Sequence, residues 1–388
     1  MVLLVAWAAC GCTGNGGHNA TNAPCSTRAY NLPGHPCLAP GIRCDSAHQK
    51  DYLDDQFGCA AGRLESLAVP ASPRVKAPTL PAAVPLPTAT ARVRIPASDW
   101  AGGGVAVGTD AVWGTSDSAI WRVDKAGLKV AGPFAPSKAG TFAAVGDGAV
   151  WVSDFDGNVV HRLDPASGHE SARIPIPLPG NPTGLVVLPD AVWVGEHRGG
   201  MVDRIDPSTN AIARRVVVAQ VGPSGPSAVA FGFGSLWVTV PNINSVVRVD
   251  PHRAEVTAFI PLPANVSACG SVGFGTDVVW VSSCYDGKYL ARIDPRANRL
   301  VSVLDVGGLV QDIASSGDVA YLVAGGDPDS SPDAPGRLLE LRADDTVARV
   351  FDLGAGFFSG GTAFDAGLLW LVDSEHPLLL RVPISGSS

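Results

Sequence analysis

From residue 91 onward, short apolar runs alternate with turns rich in Gly, Pro and Asp, and no run has the length or the 3.6-residue spacing of a helix. One unit recurs: a Val-Trp-Val-like strand, a polar loop, an Arg-x-Asp-Pro-like strand and turn, then another apolar strand. Its landmark aromatics are Trp113, Trp151, Trp193, Trp237, Trp280, Tyr321 and Trp370, spaced 38, 42, 44, 43, 41 and 49 residues apart. A period near forty built only from strand-sized runs is the signature of a β-propeller with one four-stranded blade per repeat. The second repeat is the clearest: Thr141 to Val145, a Gly-Asp-Gly turn, Ala149 to Ser153, the loop Asp154 to Asn158, Val159 to Leu163, then the Asp164-Pro165 turn.

The fold class is therefore all-β, a seven-bladed propeller with four-stranded antiparallel blades over residues 91–386. Residues 91–96 read as the last strand of a blade, while the final repeat supplies three strands and stops. Joining the two completes the seventh blade and closes the ring, which removes exposed sheet edges.

The charge balance, 28 basic against 36 acidic residues with no Lys/Arg cluster, lacks the concentrated positive charge of a nucleic-acid groove. Six of the eight cysteines precede residue 60 (Cys10, Cys12, Cys25, Cys37, Cys44 and Cys59), and Cys269 and Cys284 lie in the repeats. Their spacing suits disulfides in an oxidising compartment better than zinc. Cys25, Cys37, Cys44 and Cys59 are expected to pair among themselves, with three connectivities open; Cys269 and Cys284 flank a predicted hairpin turn and are expected to bridge it.

Residues 1–12 combine an apolar run with Cys10-Gly-Cys12. They resemble a bacterial lipoprotein signal, although no Lys or Arg precedes the run. Cysteine parity points to Cys12 as the acylated residue; a cleaved secretory signal is the alternative. Residues 13–60 read as a Cys-containing segment and residues 61–90 as a Pro-rich, extended spacer that holds the propeller away from its anchor.

Candidate chemistry lies three residues after each landmark aromatic, where the second strand ends on the face that usually carries a propeller's ligand. The residues there are Ser116, Asp154, Glu196, Val240, Ser283, Ala324 and Asp373. His197 follows Glu196 and His376 lies close to Asp373, so Asp154, Glu196, His197, Asp373 and His376 form the candidate top-face set. An acid beside a histidine suits acid/base work or a divalent-metal corner; solvated loop residues are the plainer reading. In the longer loop of the sixth repeat, Asp327, Asp329 and Asp333 offer hard oxygen donors for calcium, set against an ordinary surface loop. In the Arg-x-Asp-Pro units Asp-Pro is turn chemistry, and Arg and Asp, two apart, share a strand face on which they could pair.

Pro182-Thr-Gly-Leu-Val-Val187 with Val192-Trp-Val-Gly-Glu196, and Gly222-Pro-Ser-Gly225 with Leu236-Trp-Val238, resemble the bacterial propeller superfamily of YVTN-repeat proteins and virginiamycin B (streptogramin) lyases. The resemblance covers residues 91–384. The lyase would imply a magnesium-assisted elimination opening a cyclic depsipeptide, with a His starting an inner strand and a Glu ending the next. Here Glu196 matches the acidic position, but the inner-strand starts near Gly102, Gly140, Pro182, Pro226, Cys269, Val310 and Ser359 contain no histidine.

These readings together describe an exported, lipid-anchored, non-enzymatic binding or scaffolding module, periplasmic or at the cell surface. The alternative is a lyase or lactonase-type enzyme working from the top face. The expected partner is a protein or small-molecule ligand for a monomeric chain, without nucleic acid, touching the membrane only through its anchor. No cofactor beyond a calcium or magnesium ion is suggested.

Overall fold

The computed structural model describes residues 38–69, 75–96, 104–116, 119–134, 140–284, 287–326 and 333–384. Seven antiparallel blades follow one another around a ring, each meandering from an innermost to an outermost strand. Blade one spans Val105–Val107 to Val130–Phe134, blade two Gly140–Gly146 to Glu170–Pro175, and blade three Pro182–Leu188 to Ala211–Val217. Blade four spans Val229–Gly232 to Glu255–Pro261, blade five Val272–Phe274 to Arg299–Asp305, and blade six Leu309–Ser316 to Val347–Ala355. Blade seven takes Ser359–Asp365, Leu368–Asp373 and Leu378–Pro383 from the C-terminus and Ala91–Arg94 from the N-terminal side. The closing pair is antiparallel, with Leu379 opposite Val93, as the orphan strands of the sequence predict.

The landmark tryptophans fill the spaces between blades and are at most 1% exposed. Trp193, for example, packs among Leu236, Val238 and Val249 of the next blade. The arginine of the repeat does not pair with its own Asp. Arg162 lies over Trp151, 4.9 Å from the ring centre, and donates to Pro207 C=O at 2.6 Å and Asn210 Oδ1 at 2.9 Å in the next blade's turn. Arg248 repeats the arrangement over Trp237 toward Pro295 and Asn298. Arg292 reaches Ala343 C=O, and Arg381 reaches Lys125 C=O across the closing seam. The Asp caps its own turn, as Asp250 does by accepting the His252 N–H at 2.8 Å.

Cys44 and Cys59 form a disulfide with Cα atoms 5.8 Å apart; Cys10, Cys12, Cys25 and Cys37 lie outside the described residues, as does the signal-like segment. Cys269 and Cys284 are also bonded, 5.6 Å apart at Cα. They sit just beyond the ends of the paired strands Val272–Phe274 and Val279–Ser282, not within them.

The expected free spacer is instead a strap around the outside of the ring. The stapled hairpin Phe57–Ala60 and Arg63–Ser66 packs on blade four. The Ala61 N–H donates to Val256 C=O at 3.0 Å, Glu65 Oε2 accepts the Phe259 N–H at 2.7 Å, and Leu53 and Leu67 bury themselves beside Phe259. Val75–Lys76 then adds a short parallel strand to blade five, and Val84–Pro85 does the same on blade six. Lys76 Nζ reaches Asp345 Oδ2 at 2.9 Å. So small a hairpin cannot bury a core of its own; it borrows one from the ring.

Two truncations separate the roles of strap and closing strand. A chain beginning at residue 89 keeps Ala91–Arg94 and should unfold cooperatively with Tm lowered on the order of 5–10 °C, at roughly 2–4 °C per kcal/mol for domains of moderate size. A chain beginning at residue 97 opens blade seven and should lose cooperative unfolding by calorimetry. Equal melting of the full chain and the residue-89 chain would show that the strap contributes no stability.

Candidate functional site

The second strands of blades two, three and seven carry acids at their top ends, and in each case the blade itself occupies the carboxylate. Asp154 Oδ1 accepts the Gly157 N–H at 2.7 Å, capping the turn that follows. Its Oδ2 faces Nε2 of His161 at 3.4 Å, and His161 Nδ1 meets Glu170 Oε1 at 2.7 Å. Asp373 caps its turn in the same way through the His376 N–H at 3.2 Å, and its Oδ2 meets His376 Nδ1 at 3.0 Å. Asp373 and His376 are thus brought together; Glu196 and His197 are not. His197 Nδ1 faces Pro226 C=O at 3.3 Å, and its ring packs 5.7 Å from that of Phe155. Among the described residues no hydrogen bond or ion pair joins a candidate of one blade to a candidate of another.

Glu196 belongs to a cluster that the sequence reading did not assemble. The strand register sets Val194 opposite Asp203 and Asp203 opposite Arg215, so Glu196, two residues on from Val194, shares their face of blade three. Arg215 Nη2 donates to Glu196 Oε1 at 2.5 Å and Arg215 Nε to Asp203 Oδ1 at 3.1 Å. Both acids are fully buried. One guanidinium cannot neutralise two buried carboxylates, and among the described residues Glu196 Oε2 and Asp203 Oδ2 have no basic or N–H donor. Burial first, and then the hydrogen bond and charge of Glu196, push the Asp203 carboxyl up to about 8 against the opposing pull of Arg215. A proton held between the acids gives both orphan oxygens a partner. A signal for the cluster was present: the residue before the repeat's arginine is Trp121, Val247, Ala291 or Leu380 in other blades, but His161 and Asp203 in blades two and three.

Small hydroxyls two residues after the tryptophan form a second set that the sequence reading missed. Ser153, Thr239 and Ser282 accept the N–H groups of Phe142, Ala228 and Ser271 in or beside their own innermost strands. On the innermost strand of blade six, Asp312 accepts from Ser271 Oγ at 2.5 Å and also bonds Thr362, stitching blades five, six and seven; burial raises its carboxyl above the usual range.

Asp327 and Asp329 lie outside the described residues, and Asp333 is exposed ahead of the strand Pro335–Arg342. Magnesium of the lyase kind does not fit Glu196, whose carboxylate is held by Arg215 beneath Gly199: a Cβ at that glycine would lie 1.8 Å from Glu196 Oε2. Among the described residues no group of three or more His, Cys, Asp or Glu could hold a metal ion.

The chain is a seven-bladed β-propeller closed by its N-terminal strand. No family model matches it, and no curated protein sequence matches it. Among solved structures it is similar to a streptogramin B lyase, with a TM-score of 0.62 and 18% identity over 76% of this chain and 97% of that one. It is also similar to virginiamycin B lyase from Staphylococcus aureus, with a TM-score of 0.64 and 17% identity over 76% and 99% of the two chains. BamB from Moraxella catarrhalis aligns with a TM-score of 0.53 and 12% identity, over 73% and 86%. At these identities the likeness is one of fold.

The buried acids predict a pH dependence of stability. Between the usual aspartate value of 3.8 and about 8 the unfolded chain releases a proton that the folded chain keeps. Stability should therefore fall as pH rises through that window, at up to about 1.4 kcal/mol per unit. Asp203→Asn supplies a permanent donor toward Glu196 and should flatten the fall. Urea midpoints at pH 5 and pH 8 measure it; an undiminished fall in the variant would assign the dependence elsewhere.

Proposed function

We propose that this chain is an exported propeller that binds or scaffolds a partner rather than one that performs acid/base chemistry. The observation that carries the reading is the commitment of the candidate acids. Asp154 and Asp373 cap their own turns, and Glu196 is locked to Arg215 inside blade three. A general acid or base must reach a substrate proton, and a fully buried carboxylate in an ion pair does not reach one. The disulfides Cys44–Cys59 and Cys269–Cys284 support an oxidising compartment, and anchoring through Cys12 is the form of export that the N-terminal sequence favours. The partner would dock on the top face, over the turns that follow Asp154, Glu196 and Asp373.

The rival reading is elimination chemistry on a cyclic depsipeptide, and quinupristin with magnesium tests it directly. We expect chromatography to show no ring opening above the enzyme-free control. Ring opening that Glu196→Gln abolishes would overturn the binding reading. Export is tested by alkylating protein recovered from the bacterial envelope before reduction, with Cys269 and Cys284 expected to remain unmodified; a free thiol at either would remove the argument from compartment.

A further inference from the structure

The strap crosses from blade six to blade seven over a groove that none of the described residues fills. Val84 and Pro85 pair in parallel with Phe351 and Asp352 on the outer edge of blade six. Pro85 and Pro87 have no N–H, so the ladder ends there. The chain bends through a turn in which the Thr90 N–H donates to Pro87 C=O at 2.9 Å, and it joins blade seven at Ala91. Its departure leaves a cavity of about 570 Å³, lined by Leu86, Pro87, Thr90, Arg92, Asp352 and Leu353 among others. That volume is in the range of small-ligand sites.

The polar groups around it are spare. Arg92 is exposed and makes no side-chain hydrogen bond or ion pair with any described residue, Asp352 included. Thr90 Oγ1 is buried without a partner among the described residues, which a hydroxyl tolerates poorly unless a ligand or water satisfies it. Asp352 uses Oδ1 on the Gly354 N–H at 2.9 Å, and its other oxygen remains available. The lining thus combines a guanidinium, a hydroxyl, a carboxylate and apolar side chains, an amphoteric set.

We propose that this groove binds a short peptide or amino-acid-like ligand by its free carboxylate. Arg92 holds the carboxylate in a forked pair and Thr90 donates to it. Asp352 accepts from the ligand's amine, and an apolar side chain lies against Leu86, Pro87 and Leu353. The prolines keep the wall ordered before binding, which lowers the entropy lost on association. The groove is at the rim and not on the top face, so it stands or falls apart from the function proposed above.

Calorimetric titration of the full chain with alanyl-leucine and with its C-terminal amide tests the assignment. The acid should bind at least about tenfold more tightly than the amide, consistent with a charge-assisted pair. Arg92→Gln should remove that preference without moving the melting temperature, Arg92→Lys should keep part of it, and Thr90→Val should weaken the acid several-fold. Equal binding of acid and amide, undiminished binding of the acid by Arg92→Gln, or no saturable binding of the acid would overturn the proposal. Displacement of the peptide by inorganic phosphate at similar concentration would reduce the site to a simple anion contact and overturn the peptide assignment. If Arg92→Gln fails to fold, Arg92→Lys and the acid-against-amide comparison on the native chain still decide.

Discussion

The structure depends on each blade burying its tryptophan face against the next one. A four-stranded sheet with two apolar faces is unstable alone; only a closed ring covers both faces of every blade. Magnitudes separate the energy from the geometry. A buried tryptophan hides roughly 150–250 Å², about 4–6 kcal/mol at about 25 cal/mol per Å² as an upper figure. A hydrogen bond adds about 1 kcal/mol. Tryptophan burial therefore drives the association, while Arg162, Arg248, Arg292 and Arg381, each reaching the next blade's turn, fix the register in which the faces meet. Blade three departs from this pattern: Arg204 bonds Asp190 within its own blade, and around Trp193 blade three meets blade four through apolar packing.

Most polar side chains at the top end solve local problems of the backbone. A strand that ends must satisfy the N–H groups of the turn after it, and Asp154 and Asp373, three residues after the tryptophan, do so within their own hairpins. Innermost strands bulge where they begin, as between Gly140 and Phe142, and Ser153, two residues after the tryptophan, takes up the Phe142 N–H there. Blade three has Gly195 at that position, and the hydroxyl comes instead from Thr183, within 3.2 Å of Gly195 C=O. Residue types that look chemical in a one-dimensional reading are thus consumed by turns and bulges that recur with the blade.

Legibility followed periodicity. The seven blades and the closing strand could be read because every repeat restates the same apolar pattern, and Ala91–Arg94 matched it while standing outside any complete repeat. Cys269 and Cys284 could be paired because they straddle one hairpin turn. The strap was illegible for the opposite reason. Its contacts with blades five and six are two-residue parallel pairings by Val75–Lys76 and Val84–Pro85, too short to leave a period, and its composition is that of a linker. The Glu196–Asp203–Arg215 cluster draws on three different strands, so spacing along the chain could not assemble it. A polar residue at a position the repeat keeps apolar was the available clue.

The strap also changes what the N-terminal region can do. The outer edges of blades five and six would otherwise be open templates for pairing, and the chain covers them itself before supplying the closing strand of blade seven. Residues 38–96 are therefore largely spent on the ring and are not available as reach. If Cys12 carries the anchor, only about 25 residues remain between it and Leu38, spanning at most about 80–90 Å when fully extended. The stapled hairpin sits where that segment meets the ring. A pull along the N-terminus would load the Cys44–Cys59 bridge and the contacts of Leu53 and Leu67 with blade four before it reached the strand that closes the propeller.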